Sequence, residues 1–406
     1  VGRLAIVGGG VVGLAVGLAL LDAGRSVILI DDDADGQAAS WGNAGHIAVE
    51  QVEPLASLAL LRSVPRRLFW RGGALDFPLS AMGAWLPFGL RLMAAARPAR
   101  FRQGSDALRG LLAQAMPGWE ALVDRIGEPG LLRRDGHYVL WQTAQSAKDG
   151  RVGWAAADTG TAQVHDVSVP ELAQLSRLTG QPPAGAIRFS GSGQIADLSA
   201  LRLALRAALV AGGGEIVGRN ATLRRTGGRV EIPGIDADHV ILCAGVRSRP
   251  LMEALGHKVP MIAERGYHIR ADAADWPADL PPVVFEDRSM IVTRYRDTVQ
   301  AASFVELNHV GAPADPRKWK RLERHVAELG LPIRGPFTRW MGCRPTLPDY
   351  LPAIGRSDRA DNLYYAFGHQ HLGLTLAPIT AQLVTALVTG TAPKLSNSLF
   401  DIERFA

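Results

Sequence analysis

Residues 4–21 read LAIVGGGVVGLAVGLALL, and two readings compete for them. Eighteen residues pass without a charge, with Gly9, Gly13 and Gly17 on one helical face, as in a membrane span with a small-residue packing stripe. Split in two, the stretch is a strand, Arg3 to Val7, a GGGVVG turn and a helix, Val12 to Ala23, stopped by Gly24. SVILI at 26–30 then supplies a second strand and completes a βαβ unit. This second reading is preferred because it gives the glycines separate physical tasks. Gly8 permits the tight turn, Gly10 lets backbone approach a pyrophosphate, and Gly13 lets helix and strand pack closely. The helix start, with Val11 and Val12, offers free N–H groups and a positive dipole end to phosphate. Asp31 stands 23 residues after Gly8, at the end of the second strand, where a carboxylate meets a ribose hydroxyl. Asp32 is a second candidate there, and the three consecutive acids disfavour a 2′-phosphate.

Composition agrees with a folded two-domain chain: 406 residues, 47% hydrophobic and 20% charged. The opening segment lacks the basic start and small-residue cleavage site of a signal peptide. Cys243 and Cys343 lie a hundred residues apart without a CxxC, so no disulfide framework or thiolate metal site is expected, and a reducing, cytoplasmic setting is the simpler assumption. A second glycine cluster, Gly191, Gly193 and Ala196, precedes the helix LSALRLALRAALV, but no acid ends the strand after that helix, where EIVGRN turns basic. It reads as a loop with Asp197 or Ser199 capping the helix. TLRRTGGRVEI reads as a hairpin turning at Gly227-Gly228, and ADHVILCAG as a buried strand ending at Ala244 and Gly245.

Taken together, GGGVVGLAVGLALLDAG with Asp31, SWGNAGHI at 40–47, ILCAG at 241–245, RGYHI at 265–269, WMGCRPTLPDYLPAIG at 340–355 and FGHQHLGLTLAP at 367–378 resemble the FAD-dependent D-amino-acid dehydrogenases of the D-amino-acid oxidase and sarcosine oxidase superfamily. The resemblance runs over most of the chain and is weakest across 51–130. It implies an α/β fold: a Rossmann-like FAD-binding domain from residues 1–50, 190–250 and 338–406, and an α+β substrate domain on an antiparallel sheet from 51–189 and 251–337. It implies non-covalent FAD, since Cys343 is one position away from the register of a flavin-linking cysteine. It also implies that Ser40, Gly42, Asn43, Ala44 and Gly45 run along the isoalloxazine, with Ala221 at the nucleotide. Gly342 and the segment His371, Leu372, Gly373, Leu374 and Thr375 then lie at the pyrimidine end, where helix-start N–H groups stabilise negative charge on the reduced ring.

The implied reaction moves hydride from an amino-acid α-carbon to the flavin, which requires the substrate carboxylate to be held. A guanidinium does this with two parallel hydrogen bonds, and Arg344 occupies the family position, with Tyr267 as a second donor. The substrate nitrogen must lose a proton, for which His371 is the first candidate and His46 and His268 are lesser ones. His369 and His371 form an HxH pair, but no further ligands accompany it, so no metal is expected. The HQHLGLT segment resembles the hydroxy-D-proline dehydrogenases, which makes a cyclic D-imino acid the first substrate expectation. A glycine or sarcosine oxidase using O₂ is the alternative.

Residues 62–102 carry eight arginines against Asp76, a local balance of +7 in a chain of +5, interleaved with Phe69, Trp70, Phe77, Trp85, Phe88 and Phe101. Three readings fit: a helical cap with solvated arginines, an anionic membrane surface from which electrons reach a quinone or electron-transfer protein, or nucleic acid, the last being the less expected.

Overall fold

The computed structural model describes residues 2–392, 395 and 398–406, with the side chains of 58–61 set aside. The opening βαβ unit forms as its pattern predicts. Arg3–Val7 and Ser26–Ile30 pair in parallel, from Arg3 opposite Ser26 to Val7 opposite Ile30, and the helix Val11–Asp22 runs between them. That helix is buried on nearly all sides because the helices Leu198–Ala211 and Gly373–Thr389 pack across it. The small-residue stripe serves this packing: a Cβ on Gly17 would come within 2.6 Å of Leu209 Cδ1. The stretch that imitates a membrane span is thus the core of a parallel layer.

Six strands make that layer, in the order Glu215–Val217, Ser26–Ile30, Arg3–Val7, His239–Leu242, Leu363–Phe367 and Ala353–Arg356, the last antiparallel to its neighbour. The decoy glycines build no phosphate turn. Gly193–Ile195 is a short strand between His46–Ile47 and Leu132–Arg133, and the Asp197 carboxylate accepts the Ala200 N–H at 2.9 Å, capping the next helix. Gly227 and Gly228 connect Arg224–Thr226 to Arg229–Glu231 as expected of a two-residue hairpin turn.

The second layer is a broad, mainly antiparallel sheet. Its order is Thr338–Thr346, Ile262–Asp272, Thr298–Asn308, Met290–Arg294, Val283–Phe285, His137–Trp141, Gly185–Ser190 and Gln163–Asp166, with Leu75–Asp76 added against Thr298–Asn308. The division drawn from sequence put residues 338–346 with the nucleotide half. By hydrogen bonding this strand is the edge of the broad sheet, paired with Ile262–Asp272 along nine positions. Residues 62–102 form a helical cap, and among the described residues one helix, Gln370–Thr389, has the length and hydropathy of a span, with 61% of its apolar window buried inside the fold.

Candidate active site

The turn after Arg3–Val7 is shaped by what a side chain would strike. Gly8 has φ +106°, and a Cβ there would lie 2.5 Å from the Cys243 carbonyl oxygen. A Cβ on Gly13 would lie 1.9 Å from the Gly8 carbonyl oxygen, so strand and helix meet only because residue 13 is glycine. Gly10 is the helix N-cap; no side chain of its own caps the helix and no acid stands in the first turn. Ser40 Oγ approaches from the next loop and accepts the Val11 N–H at 3.1 Å, whereas Val12 packs against the core. Asp31 turns toward this cradle, 2.4 Å from where a Gly9 Cβ would stand, and burial raises its carboxyl above the usual range. Asp32 does not share that role: both of its oxygens meet Arg247 Nη1 at 2.8 Å. Asp33 accepts the N–H groups of Gln37 and Ala38 at 2.6 and 2.7 Å. Ala221 and Ala244 pack against the apolar cluster of the sheet that includes Ile30 and Leu242, and Gly245 continues in the left-handed region at φ +53°.

The loop 40–45 hangs on the broad sheet by its carbonyls. Asn43 O accepts from Tyr295 Oη at 2.7 Å and Gln300 Nε2 at 3.0 Å, and Gly42 O accepts the His268 Nδ1–H at 3.1 Å. Asn43 Oδ1 takes the Gly45 N–H at 2.9 Å, closing the loop on itself around Ala44. His268 is therefore a tether for the loop. Burial pushes its pKa down to about 3, and its ring stacks on Trp340 at 4.9 Å. Farther along, Ala48 N–H donates to Thr375 Oγ1 at 3.1 Å, joining the loop to the start of Gly373–Thr389.

Strand register assembles the remaining wall. Glu264 lies opposite Arg344, Gly266 opposite Gly342, and His268 opposite Trp340, so alternation puts all six on one face. The middle pair has no side chains, and neighbouring side chains close over both glycines: a Cβ on Gly342 would meet the Trp340 indole at 1.9 Å, one on Gly42 the same indole at 2.3 Å, and one on Gly266 the Arg344 Nη2 at 2.4 Å. Arg344 is held through Nη1, which donates to Glu264 Oε1 at 3.1 Å and to the Phe304 carbonyl at 3.2 Å. Its Nε and Nη2 have no partner among the described residues. Glu264 is buried and is further fixed by the hydroxyls of Thr346 at 3.0 Å and Tyr350 at 3.3 Å.

Tyr267 is a correction to the sequence reading. One residue away from Gly266, it points through the opposite face, where its hydroxyl donates to Glu306 Oε2 at 2.6 Å and accepts the Asp315 N–H at 3.1 Å. Its ring packs edge-on to Trp319 of the covering helix Pro316–Glu328. It is built into the back of the sheet and cannot donate to a substrate beside Arg344. Cys343 shares that reverse face, and burial pushes its thiol pKa up.

His371 lies in the turn Gln370–Leu372, beside the bridge that joins Thr346 to His369. Its Nε2 donates to Gln51 Oε1, which leaves the lone pair on Nδ1. Burial pushes its pKa down to about 4, with Glu264 and Arg344 within electrostatic reach, so the ring is neutral at physiological pH. The HxH pair divides between different partners, since His369 Nε2 engages Thr380 Oγ1 at 3.0 Å. Leu372 and Leu374 are core residues, and the Leu374 carbonyl accepts the Trp119 indole N–H at 3.0 Å. At Gly373 a Cβ would find nothing of the protein closer than 3.6 Å, so packing alone does not demand glycine. His46 Nε2 pairs with buried Glu50 Oε1 at 3.0 Å, and its ring meets His137 edge-on at 4.5 Å. Burial alone would raise the Glu50 carboxyl, but the facing imidazoles outweigh it and hold the pKa down at about 2.

A phosphate cradle, an acid turned toward it, and a guanidinium on the broad sheet with two donors unpaired among the described residues suit a dinucleotide and a small carboxylate. Residues 3–387 match the family described as DAO, FAD dependent oxidoreductase. The chain belongs to the DAO family of FAD-dependent oxidoreductases. Among curated relatives it is similar to the D-amino-acid oxidase of Bradyrhizobium diazoefficiens, 30% identical with 99% of each chain covered. It is also similar to D-amino acid dehydrogenase 2 of Ralstonia nicotianae, 28% identical with 99% of this chain and 100% of the relative covered. Among solved structures, glycine oxidase from Geobacillus kaustophilus superposes with a TM-score of 0.71 at 20% identity over 99% of both chains, which establishes the shared fold.

As a DAO-family protein the chain takes FAD, and its cradle fits the ADP part: at Gly8 and Gly13 a side chain would strike backbone, and Asp31 is the acid turned toward the cradle. The sequence missed Glu264, Gln51, Glu50 and Trp340. Alternation from Gly266 would have put Glu264 beside Arg344 once the pairing of the two strands was known. Gln51 carries no local signal, because its contact with His371 spans 320 residues.

Proposed function

We propose that this DAO-family chain is a D-amino-acid dehydrogenase that oxidises the Cα–N bond of its substrate to an imine, with a cyclic D-imino acid such as hydroxy-D-proline as the first candidate. The observation that carries the reading is Arg344: a guanidinium lying over Gly266 and pinned through one nitrogen to a buried carboxylate, with Nε and Nη2 unpaired among the described residues. Two parallel N–H donors match a carboxylate. Named relatives that oxidise or dehydrogenate D-amino acids support the same class.

Bound non-covalently, FAD would supply the acceptor for the hydride. The turn of Gly8, Gly10 and Gly13 and the helix start at Val11, whose N–H is bonded to Ser40 Oγ in this structure, would hold its pyrophosphate, Asp31 its ribose, and the 40–45 loop with Gly342 and the 371–375 turn its ring system. Arg344 fixes the substrate carboxylate, and Glu264 keeps the guanidinium from swinging away. His371, neutral with its lone pair on Nδ1, accepts a hydrogen bond from the substrate nitrogen and orients it without acting as a strong base, while burial of the site disfavours the charged ammonium, whose proton leaves to solvent. Water hydrolyses the released imine, or a cyclic imine isomerises.

Anaerobic mixing of the purified holoenzyme with D- and L-amino acids, hydroxy-D-proline, glycine and sarcosine tests this. Bleaching of the flavin band by D-substrates alone supports it, and a flavin that no amino acid reduces refutes it. Reoxidation by a quinone analogue but not by O₂ separates dehydrogenase from oxidase.

A further inference from the structure

We propose that the outer face of the helix Met82–Ala95 docks this protein on an anionic lipid surface. The inference deepens the dehydrogenase reading, since a lipid surface is where a lipid-soluble electron acceptor resides.

The helix is apolar on both sides. Its inner side, Phe88, Leu92 and Ala95, packs with Ile262, Leu307 and Tyr350, the tyrosine that holds Glu264. Its outer side has no such partner. Leu86 is 46% exposed, Leu90 57% and Met93 50%, and Met82 and Leu79 extend the line at 49% and 84%. Steps of three and four residues keep these five on a single stripe. Trp70, 71% exposed, stands on the same cap with the Arg71 guanidinium 4.5 Å above its ring.

Charge says what covers the stripe. Arg62, Arg66, Arg67, Arg71, Arg91, Arg97, Arg100 and Arg102 are all exposed, and among the described residues none of them pairs with a carboxylate. The single acid of the segment, Asp76, is drawn inward to Lys318 Nζ at 2.6 Å. Exposed leucine, methionine and tryptophan ringed by unpaired arginine match the acyl boundary and headgroup layer of an anionic bilayer. A nucleic acid would use the arginines and leave the leucines wet, and a second copy of this basic cap would repel the first.

The test is flotation of the holoenzyme with vesicles of phosphatidylcholine alone or with phosphatidylglycerol. The wild type is expected to float with the anionic vesicles, weakly with the neutral ones, and less as salt rises. Leu86→Glu with Leu90→Glu, and separately Arg97→Glu with Arg100→Glu, are each expected to lower the bound fraction about tenfold or more, with flavin content and melting temperature unchanged. Wild type that stays with neither vesicle overturns the proposal, as do variants that float like wild type. A lipid-free dimer dissolved by the leucine variant, or arginine-dependent binding of RNA that excludes vesicles, overturns it as well. Amino-acid reduction of the flavin, measured without lipid on the same preparation, tells the two readings apart. Reduction without flotation sinks only the docking surface, and flotation without reduction sinks only the dehydrogenase.

Discussion

Gly266→Ala adds one methyl group beneath the Arg344 guanidinium, and its consequence can be worked from the geometry. The new Cβ would stand 2.4 Å from Arg344 Nη2 and 2.6 Å from Cζ, where ordinary contact begins near 3.4 Å. The guanidinium therefore has to retreat by about 1 Å. It is the end of a flexible side chain, so the backbone need not move, and alanine suits a strand better than glycine does. The retreat pulls on the Nη1 bonds to Glu264 and the Phe304 carbonyl, already at 3.1 and 3.2 Å. A misplacement of about 1 Å in a group that orients the reacting substrate costs up to about 10²-fold in rate. The expected result is a loss of about 10- to 100-fold in kcat/KM for the best D-substrate, with flavin content and melting temperature close to wild type. Steady-state kinetics, the visible spectrum and a melting curve read all three. Activity within about twofold of wild type would refute Arg344 as the carboxylate anchor, and loss of FAD would assign this face of the sheet to the cofactor instead.

Tyr267→Phe, one residue away, is expected to leave KM unchanged while costing about 1–3 kcal/mol of stability in urea melts, because its hydroxyl serves the buried Glu306 on the reverse face. Gly13→Ala drives a Cβ to 1.9 Å from a backbone oxygen and is expected to yield protein without flavin absorbance and with a lower melting temperature. Asp31→Ala removes a charged hydrogen-bond acceptor and is expected to weaken FAD binding about 10- to 100-fold by titration of the apoprotein. His268 and His369 are held neutral by burial, at about 3 and 4. The unfolded chain, with histidines near 6.5, then binds more protons than the folded one below that pH. Stability is full above pH 6.5 and is lost toward pH 4, by at most about 1.4 kcal/mol per unit for each ring. Urea midpoints at pH 7.5 and 5.5 measure it, and a flat profile would contradict the burial of these rings.

The sequence was most readable where local chemistry dictates backbone. Gly13, which meets Gly8, and the capping Asp197 act on residues a few positions away, so their spacing is enough to place them. Arg344 was legible through its motif, but the partner that orients it was not, because Glu264 meets it only across a strand pair. Tyr267 failed for the same reason in reverse. Its identity and neighbourhood suited the substrate, yet a period of two decides the face, and the face was set by pairing with Thr338–Thr346. Asp32 looked equivalent to Asp31 until Arg247, 215 residues away, claimed it. The 62–102 segment was read for its charge, while the apolar stripe became visible only when burial separated the two sides of one helix.

The order in which the chain visits its two layers limits how they can be recombined. It enters the parallel layer at 3–30, crosses to the broad sheet, returns for 215–242, leaves for 262–346 and comes back for 353–367. No single cut yields a complete copy of either layer. The half that holds the nucleotide and the half that selects the substrate thus cannot be exchanged by one junction, and a swap of either layer has to join the chain at several places at once.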